Sequence, residues 1–338
     1  MVRPGSPLSG SLAWTPTTHE VDDEGKVVGY VNRREPNNWG RWGEHDQRGT
    51  ANFITPELVA AAAGLVEDGR VVSCAIPMDQ GGPVHPTRVP VVHLYAYSGT
   101  DMVSGAEMTR AYPGFQGTDD YLFMPIQGTT QWDGLSHVGH EDTLYNGYWV
   151  GTTEAHMGAK RCSIHLLADT LVGRGVLLDL PRHLGVERLE GGRPIQAHEL
   201  DACAAAQGVE LRRGDIVLIR TAHVPWFYRV RRKSEFWRAG APGLAMDCAV
   251  WAHEREMAAI AMDNIAVEVE PFPEDADRPY PLHSLLIRDL GLTLGEVWWL
   301  EELADACAEA GRHEFFLSAP PLKITNASGS MLNPVAIL

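Results

Sequence analysis

The sequence predicts an α/β protein, and three observations carry that reading. From about residue 160 onward, short apolar runs alternate with segments of helical character, as in an α/β domain. The apolar runs are continuous rather than alternating, Ile216-Val217-Leu218-Ile219 most clearly, as deeply buried strands require. The 34 glycines and 22 prolines imply many turns and a loop-rich surface, not a helical bundle.

The elements follow in order. Residues 1–36 are polar and rich in Pro, Gly and charge, and read as an arm over the body or over a neighbouring subunit. Residues 37–338 read as one domain, without repeats or a low-complexity linker. After a loop at residues 38–43, Thr55 suits an N-cap and Pro56 the first helical position. An alanine-rich helix then runs to Asp68, with Gly69 where a C-cap belongs. Residues 71–76 read as a strand, and residues 80–148 as strands and long loops, where chemistry often sits. Further strands are expected at 175–179, 214–220 and 259–262, with helices at 197–207, 244–258 and 296–310. Trp226-Phe227-Tyr228 reads as an aromatic patch in a loop, an active-site wall or a subunit contact.

Composition narrows the function. Lys plus Arg total 28 against 44 Asp plus Glu, a net charge of −16, which argues against nucleic acid and anionic membranes as partners. No apolar stretch reaches membrane-spanning length, and the N-terminus does not read as a secretory signal, so a cytoplasmic protein is expected. The five scattered cysteines form no CxxC pair and read as small buried residues. Phosphate-loop, dinucleotide-binding and serine-hydrolase elbow patterns are missing from the sequence.

The densest polar cluster runs from Gln127 to His137, with His140, Glu141 and Asp142 just beyond. Gln131 and Asp133, two apart, point to one side of an extended segment. Asp133 and His137, four apart, suit a helical turn or a tight loop, where a carboxylate and an imidazole share a cation or hold a water. Trp132 lines the pocket or packs in the core. Downstream, His283 precedes an apolar run, as a helix entry or a core histidine, and Glu296 reads as the start of a helix. His85 and His93 lie in the loop-rich middle, where they can reach a substrate.

Taken together, these residues resemble the cyclase family of metal-dependent hydrolases, which includes bacterial kynurenine formamidases and isatin hydrolases. That family carries a His-x-x-x-His-x-Asp-x-x-x-His motif, then a His before a Leu-Leu pair, then a late Glu. Asp133 and His137, His283-Ser-Leu-Leu and Gly295-Glu296 match in order, and the closing Ala319-Pro-Pro-Leu and Ala327-Ser-Gly-Ser segments also look familial. The first two motif histidines fall on Gln127 and Gln131, a departure that weakens or removes a second metal subsite. The resemblance implies a swivelling β/β/α fold with a mixed sheet and loop-rich insertions. It implies one divalent ion, Mn²⁺ or Zn²⁺, held by Asp133, His283 and Glu296, with the amide oxygen of Gln131 as a fourth donor. His137 is then the proton shuttle, with His140 in reserve. Gln127, Thr130 or Gln131 would donate to the oxyanion, and Trp132 and His85 would face the substrate.

The activity expected is metal-dependent opening of an amide C–N bond in an aryl formamide or cyclic amide. The alternative is a cyclase or dehydratase acting on a polyketide-like or other secondary-metabolite substrate in the same site. A small-molecule substrate and a homodimer or homotetramer complete the expectation.

Overall fold

The computed structural model describes residues 19–105, 107–272 and 279–338. Its centre is a nine-stranded mixed sheet, numbered here together with a separate hairpin. The strands are β1 (Val71–Ser73), the hairpin pair β2 (Val92–Tyr97) and β3 (Asp119–Phe123), and β4 (Gln131–Asp133). They continue as β5 (Val172–Asp179), β6 (Ile216–Arg220), β7 (Ala259–Met262), β8 (Thr293–Glu296), β9 (Glu314–Ser318), β10 (Gly329–Met331) and β11 (Val335–Ile337). The order across the sheet is β1-β11-β9-β5-β6-β7-β8-β4-β10. The four central strands β5 to β8 run parallel, and the flanking pairs are antiparallel.

The parallel strands are buried on both faces, which explains their unbroken apolar sequences. Val176, Leu178, Val217, Ile219, Ile260 and Met262 point into one core, with Leu200 and Cys203 of helix α2 and Trp251 of α4. Leu177, Ile216, Leu218 and Ala261 point into the other, with Leu303 and Cys307 of α5. The five principal helices are α1 (Pro56–Ala63), α2 (Ala197–Ala206), α3 (His223–Arg229), α4 (Asp247–Glu254) and α5 (Glu301–Ala310). All five cysteines are buried and unpaired. Among the described residues no helix is long and apolar enough to cross a membrane.

Several elements differ from the sequence reading. Thr55 does cap α1, its side chain accepting from Leu58 N, but the helix ends at Gly64, and Gly69 lies beyond it with φ +67°. Residues 243–244 form a short strand before α4 begins at Asp247. The aromatic patch Trp226-Phe227-Tyr228 lies in α3 and not in a loop. Most consequentially, Glu296 ends β8 instead of opening a helix, and α5 starts at Glu301. Gly295 imitates a helix boundary for a packing reason: a Cβ there would sit 2.6 Å from Ala261 Cβ and 2.7 Å from Trp132 and Trp298.

Of the N-terminal arm, residues 1–18 lie outside the described residues. The remainder reaches the π-helical turn Ser284–Asp289. There Asn32 Nδ2 donates to Asp289 (3.1 Å), Arg288 donates to Tyr30 Oη (2.6 Å), and Arg34 pairs with Asp289 (3.4 Å).

Candidate metal centre

The site is built where β8 meets β4. The two strands pair antiparallel with Glu296 opposite Gln131 and Leu294 opposite Asp133. Alternation puts Gln131, Asp133 and Glu296 on one face, at the carboxyl end of a parallel strand, where open α/β sheets place ligands. Trp132 points the other way into the core, edge-on to Trp298 at 4.9 Å, with its Nε1 donating to Ala319 O (2.7 Å). It therefore does not line the pocket.

His283 ends the short helix Pro281–His283, and Glu268 fixes it there. The Glu268 carboxylate accepts the backbone N–H groups of Leu282 (3.2 Å) and His283 (3.0 Å), donors that a helix start leaves unpaired. It also accepts from His283 Nδ1 (2.6 Å), so Nε2 is turned towards Glu296 Oε1 at 3.2 Å. The segment carrying Glu268 is held by Asn264, which accepts from Val267 N (2.8 Å) and donates to Pro242 O (2.7 Å).

Asp133, His283 and Glu296 thus gather one potential ligand atom each, all within 4.8 Å of one another and all buried. Three buried carboxylates, counting Glu268, face a single imidazole, and that excess of negative charge calls for a cation. Asp133 Oδ2 is buried without a hydrogen-bond partner, as a ligand atom would be. Burial disfavours a charged His283, but its hydrogen bonds to the accepting carboxylates of Glu268 and Glu296 outweigh it and hold the imidazolium up at about 10. Burial first, then the charge of Asp133, pushes Glu296 up to about 7, with His283 pulling the other way.

Gln131 lies beside the cluster, on the same face of its strand as Asp133. Its Nε2 donates to Glu296 Oε2 (2.7 Å) and, at 3.5 Å, to Asp133 Oδ1, while its Oε1 is buried without a partner. The amide ties the two carboxylates together from the nitrogen side.

A cleft of about 300 Å³ opens over Glu296 and His283, with His85, Arg88, Gln127, His137, Glu270 and Tyr280 on its walls. His137 reaches it from a tight turn, in which His137 N donates to Gly134 O (2.9 Å), and its Nε2 stands 3.7 Å from Asp133 Oδ1. His140 is not part of the lining: its ring lies 3.8 Å from the Glu141 carboxylate and its backbone pairs with Thr143. Thr130 is spent on structure, donating to Val297 O (2.6 Å) and accepting from Ile76 N (3.0 Å), so it has no hydrogen left for an oxyanion. Gln127 lines the cleft, but its Nε2 is wedged against β10, 2.7 Å from where a Gly329 Cβ would stand. His85 is a wall residue, bonded to Thr87 Oγ1 (2.7 Å) and edge-on to Trp237. His93 lies on the hairpin, paired with Asp120.

Sequence reasoning missed Glu268, Arg88 and Tyr280. Glu268 belongs to the run Val267-Glu268-Val269-Glu270, which by itself reads as alternating surface charge. Arg88 donates to the Gln127 carbonyl, which ties one cleft wall to the next. Burial, then the Glu270 carboxylate, pushes the Tyr280 phenol up to about 12.

The fold and this cluster define an α/β protein with a buried carboxylate–imidazole centre beneath a cleft. Residues 46–269 match the model of the family described as "Putative cyclase", and the chain belongs to that family. A crystal structure described as a novel cyclase is 42% identical, with a TM-score of 0.84, covering 89% of this chain and 99% of that one. Isatin hydrolase A from Labrenzia aggregata, solved with benzyl benzoate, shares the fold at 19% identity and a TM-score of 0.57, covering 83% and 97% of the two chains. A "predicted metal-dependent hydrolase" from Bacillus stearothermophilus is 18% identical with a TM-score of 0.50, covering 79% and 97%. No curated protein matches the chain.

Proposed function

We propose that the chain is a metal-dependent hydrolase that opens an amide C–N bond, in an aryl formamide or a cyclic amide. The observation that carries the reading is the convergence of Asp133, His283 and Glu296 ligand atoms within 4.8 Å of one another, with His283 and Glu296 also lining the cleft. Structures of the same fold described as isatin hydrolase and as metal-dependent hydrolase support it. In this reading Asp133, His283 and Glu296 hold one divalent cation, Mn²⁺ or Zn²⁺. When bound, such a cation supplies Lewis-acid chemistry, lowering the pKa of a water and polarising a carbonyl.

The protein's own groups do the rest. Glu268 keeps His283 oriented with Nε2 towards the cluster. Gln131 holds the Glu296 and Asp133 carboxylates in register through its Nε2. His137, a quarter exposed and at the cleft edge, is the group able to take a proton from the attacking water and hand it to the leaving nitrogen. Pro83, Val138, Ile265 and Val297 give the cleft an apolar side suited to a flat ring, and Arg88 puts a positive charge at its rim.

The test is to strip the purified protein with a chelator, restore Mn²⁺ or Zn²⁺, and assay N-formylkynurenine and isatin. Ring opening or deformylation lost on chelation and restored by the ion is expected. Turnover indifferent to both chelation and Asp133→Ala would refute the reading.

A further inference from the structure

We infer that Tyr30 and Arg288 are positioning residues for His137: they fasten the loop that carries it to the turn that follows His283. The inference rests on the reading of His137 as the proton carrier and adds what holds that carrier in place.

Among the described residues no hydrogen bond fixes the His137 ring, and the Asp133 carboxylate stands 3.7 Å from it. His283, by contrast, is pinned by Glu268 through both its backbone N–H and its Nδ1. Whatever orients His137 therefore acts through its backbone. That backbone leaves the tight turn at Gly134 and runs into residues 140–143. There His140 and Thr143 exchange both N–H···O bonds, at 2.9 and 3.0 Å, and Thr143 Oγ1 donates to His140 O (2.8 Å).

Arg288, in the turn Ser284–Asp289, is anchored on this loop. Its side chain is fully buried, and all five of its guanidinium N–H groups are engaged. Nε and Nη2 donate to Thr143 Oγ1 at 3.1 and 2.7 Å. Nη1 donates to Asn32 Oδ1 at 2.9 Å and to Asp289, and Nη2 also to Tyr30 Oη at 2.6 Å. The Tyr30 phenol in turn donates to Glu141 Oε2, which joins the turn to the His137 loop a second time.

Stability alone does not account for this cluster. A buried pair such as Arg288–Asp289 seldom adds stability, because desolvation cancels most of the attraction, but it does fix the groups around it. A planar fork with five donors holds Thr143, Asn32, Tyr30 and Asp289 at once, which a lysine with three donors cannot do. Trp39 keeps the fork still: its ring lies 4.4 Å from the guanidinium, and its Nε1 donates to Arg288 O (2.8 Å). The loop is thus placed by bonds to its backbone and to Thr143 and Glu141, and the imidazole keeps both nitrogens for proton transfer.

Tyr30→Phe tests the inference, because it removes one oxygen from a half-buried side chain and leaves the ring over Arg288. Hydrogen exchange on the cation-free protein should speed up about 10–100-fold at the His140 and Thr143 amides, the worth of a hydrogen bond to a charged group, and stay unchanged at His283. In turnover, kcat should fall about tenfold or more at unchanged KM and unchanged cation affinity. Added to His137→Gln, the same substitution should cost nothing further, since the two act through one group. Unchanged exchange at His140 and Thr143 overturns the inference. So does a loss of kcat that adds in full to that of His137→Gln, or a fall in cation affinity, which would put the effect at His283. Should the native chain turn over none of the amides, the hydrolase reading fails by itself, and the exchange rates still decide whether Tyr30 fastens the loop.

Discussion

Asp133→Asn separates the two consequences of a buried carboxylate in this cluster. Asp133 is fully buried, with Oδ2 unpaired, and its charge is the second cause, after burial, of the raised Glu296 carboxyl. That carboxyl moves from 4.5 to about 7. At about 1.4 kcal/mol per pKa unit, holding Glu296 ionised in the fold costs about 3 kcal/mol. Of the two causes that raise it, Asp133 is the smaller, after burial. The sign follows from linkage: a carboxyl raised in the folded state makes the fold lose stability as pH climbs from the unfolded value through about 7, and the whole loss is present above that.

At pH 8 the cation-free Asp133→Asn protein is therefore expected to be more stable than the parent, each 1 kcal/mol recovered raising Tm by about 1–2 °C for a chain of this length. With a cation the order reverses. At one hundred times Kd a single site adds about 2.7 kcal/mol to the parent, about 4 °C on the same scale. The variant forgoes that gain. Calorimetric scans of chelated protein, with and without Mn²⁺ or Zn²⁺, read both effects. If the variant keeps a cation-dependent gain as large as the parent's, or melts lower when chelated, the three-ligand cluster is the wrong account.

Other substitutions probe separate groups. Glu268→Gln keeps an oxygen for the backbone donors but loses the charge beside His283 Nδ1; cation affinity, by chelator competition, should fall about 10–100-fold. An unchanged affinity would leave Glu268 a helix-start residue only. His137→Gln should lower kcat about 10²–10⁴-fold; a wild-type kcat would remove it from proton transfer. His223 is fully buried, stacked on Phe236 at 4.5 Å, and burial, then the Arg188 charge, presses its imidazole down to about 3. Its neutral form is compatible with the fold, so stability is complete above the unfolded value near 6.5 and drains away as pH falls towards 3. By pH 5 the loss is about 2 kcal/mol, and His223→Phe should shrink the Tm difference between pH 7.5 and pH 5. An undiminished difference would place the acid sensitivity elsewhere.

Much of the fold was legible because its signals are local. The continuous apolar runs at 175–179, 216–219 and 259–262 announce strands covered on both faces, and such strands form the parallel centre of the sheet. Thr55-Pro56 marks a helix start because capping needs only neighbouring residues. The β8 error has the same origin in reverse: Leu294-Gly295-Glu296 satisfies a helix-entry pattern, and only the tight packing of Ala261, Trp132 and Trp298 around Gly295 shows why the glycine is there. Hydrophobic strands and polar loops likewise did not reveal that residues 226–228 wind into a helix.

The candidate site divides the same way. A period of two puts Gln131 and Asp133 on one side of their strand and Trp132 on the other, and this much the sequence determines unaided. Whether Trp132 meets core or cleft depended on which face of the sheet α5 covers, and the core took it. The meeting of Asp133 with His283 and Glu296, 150 and more residues later, was decided by the antiparallel register of β4 on β8, and no local pattern encodes a register between distant strands. Nor could spacing show that the Gln131 amide turns its nitrogen to the carboxylates, or that Glu268 stands behind His283. Those choices belong to the tertiary structure, because burial makes each charge answer to whichever neighbours folding brings within hydrogen-bonding reach.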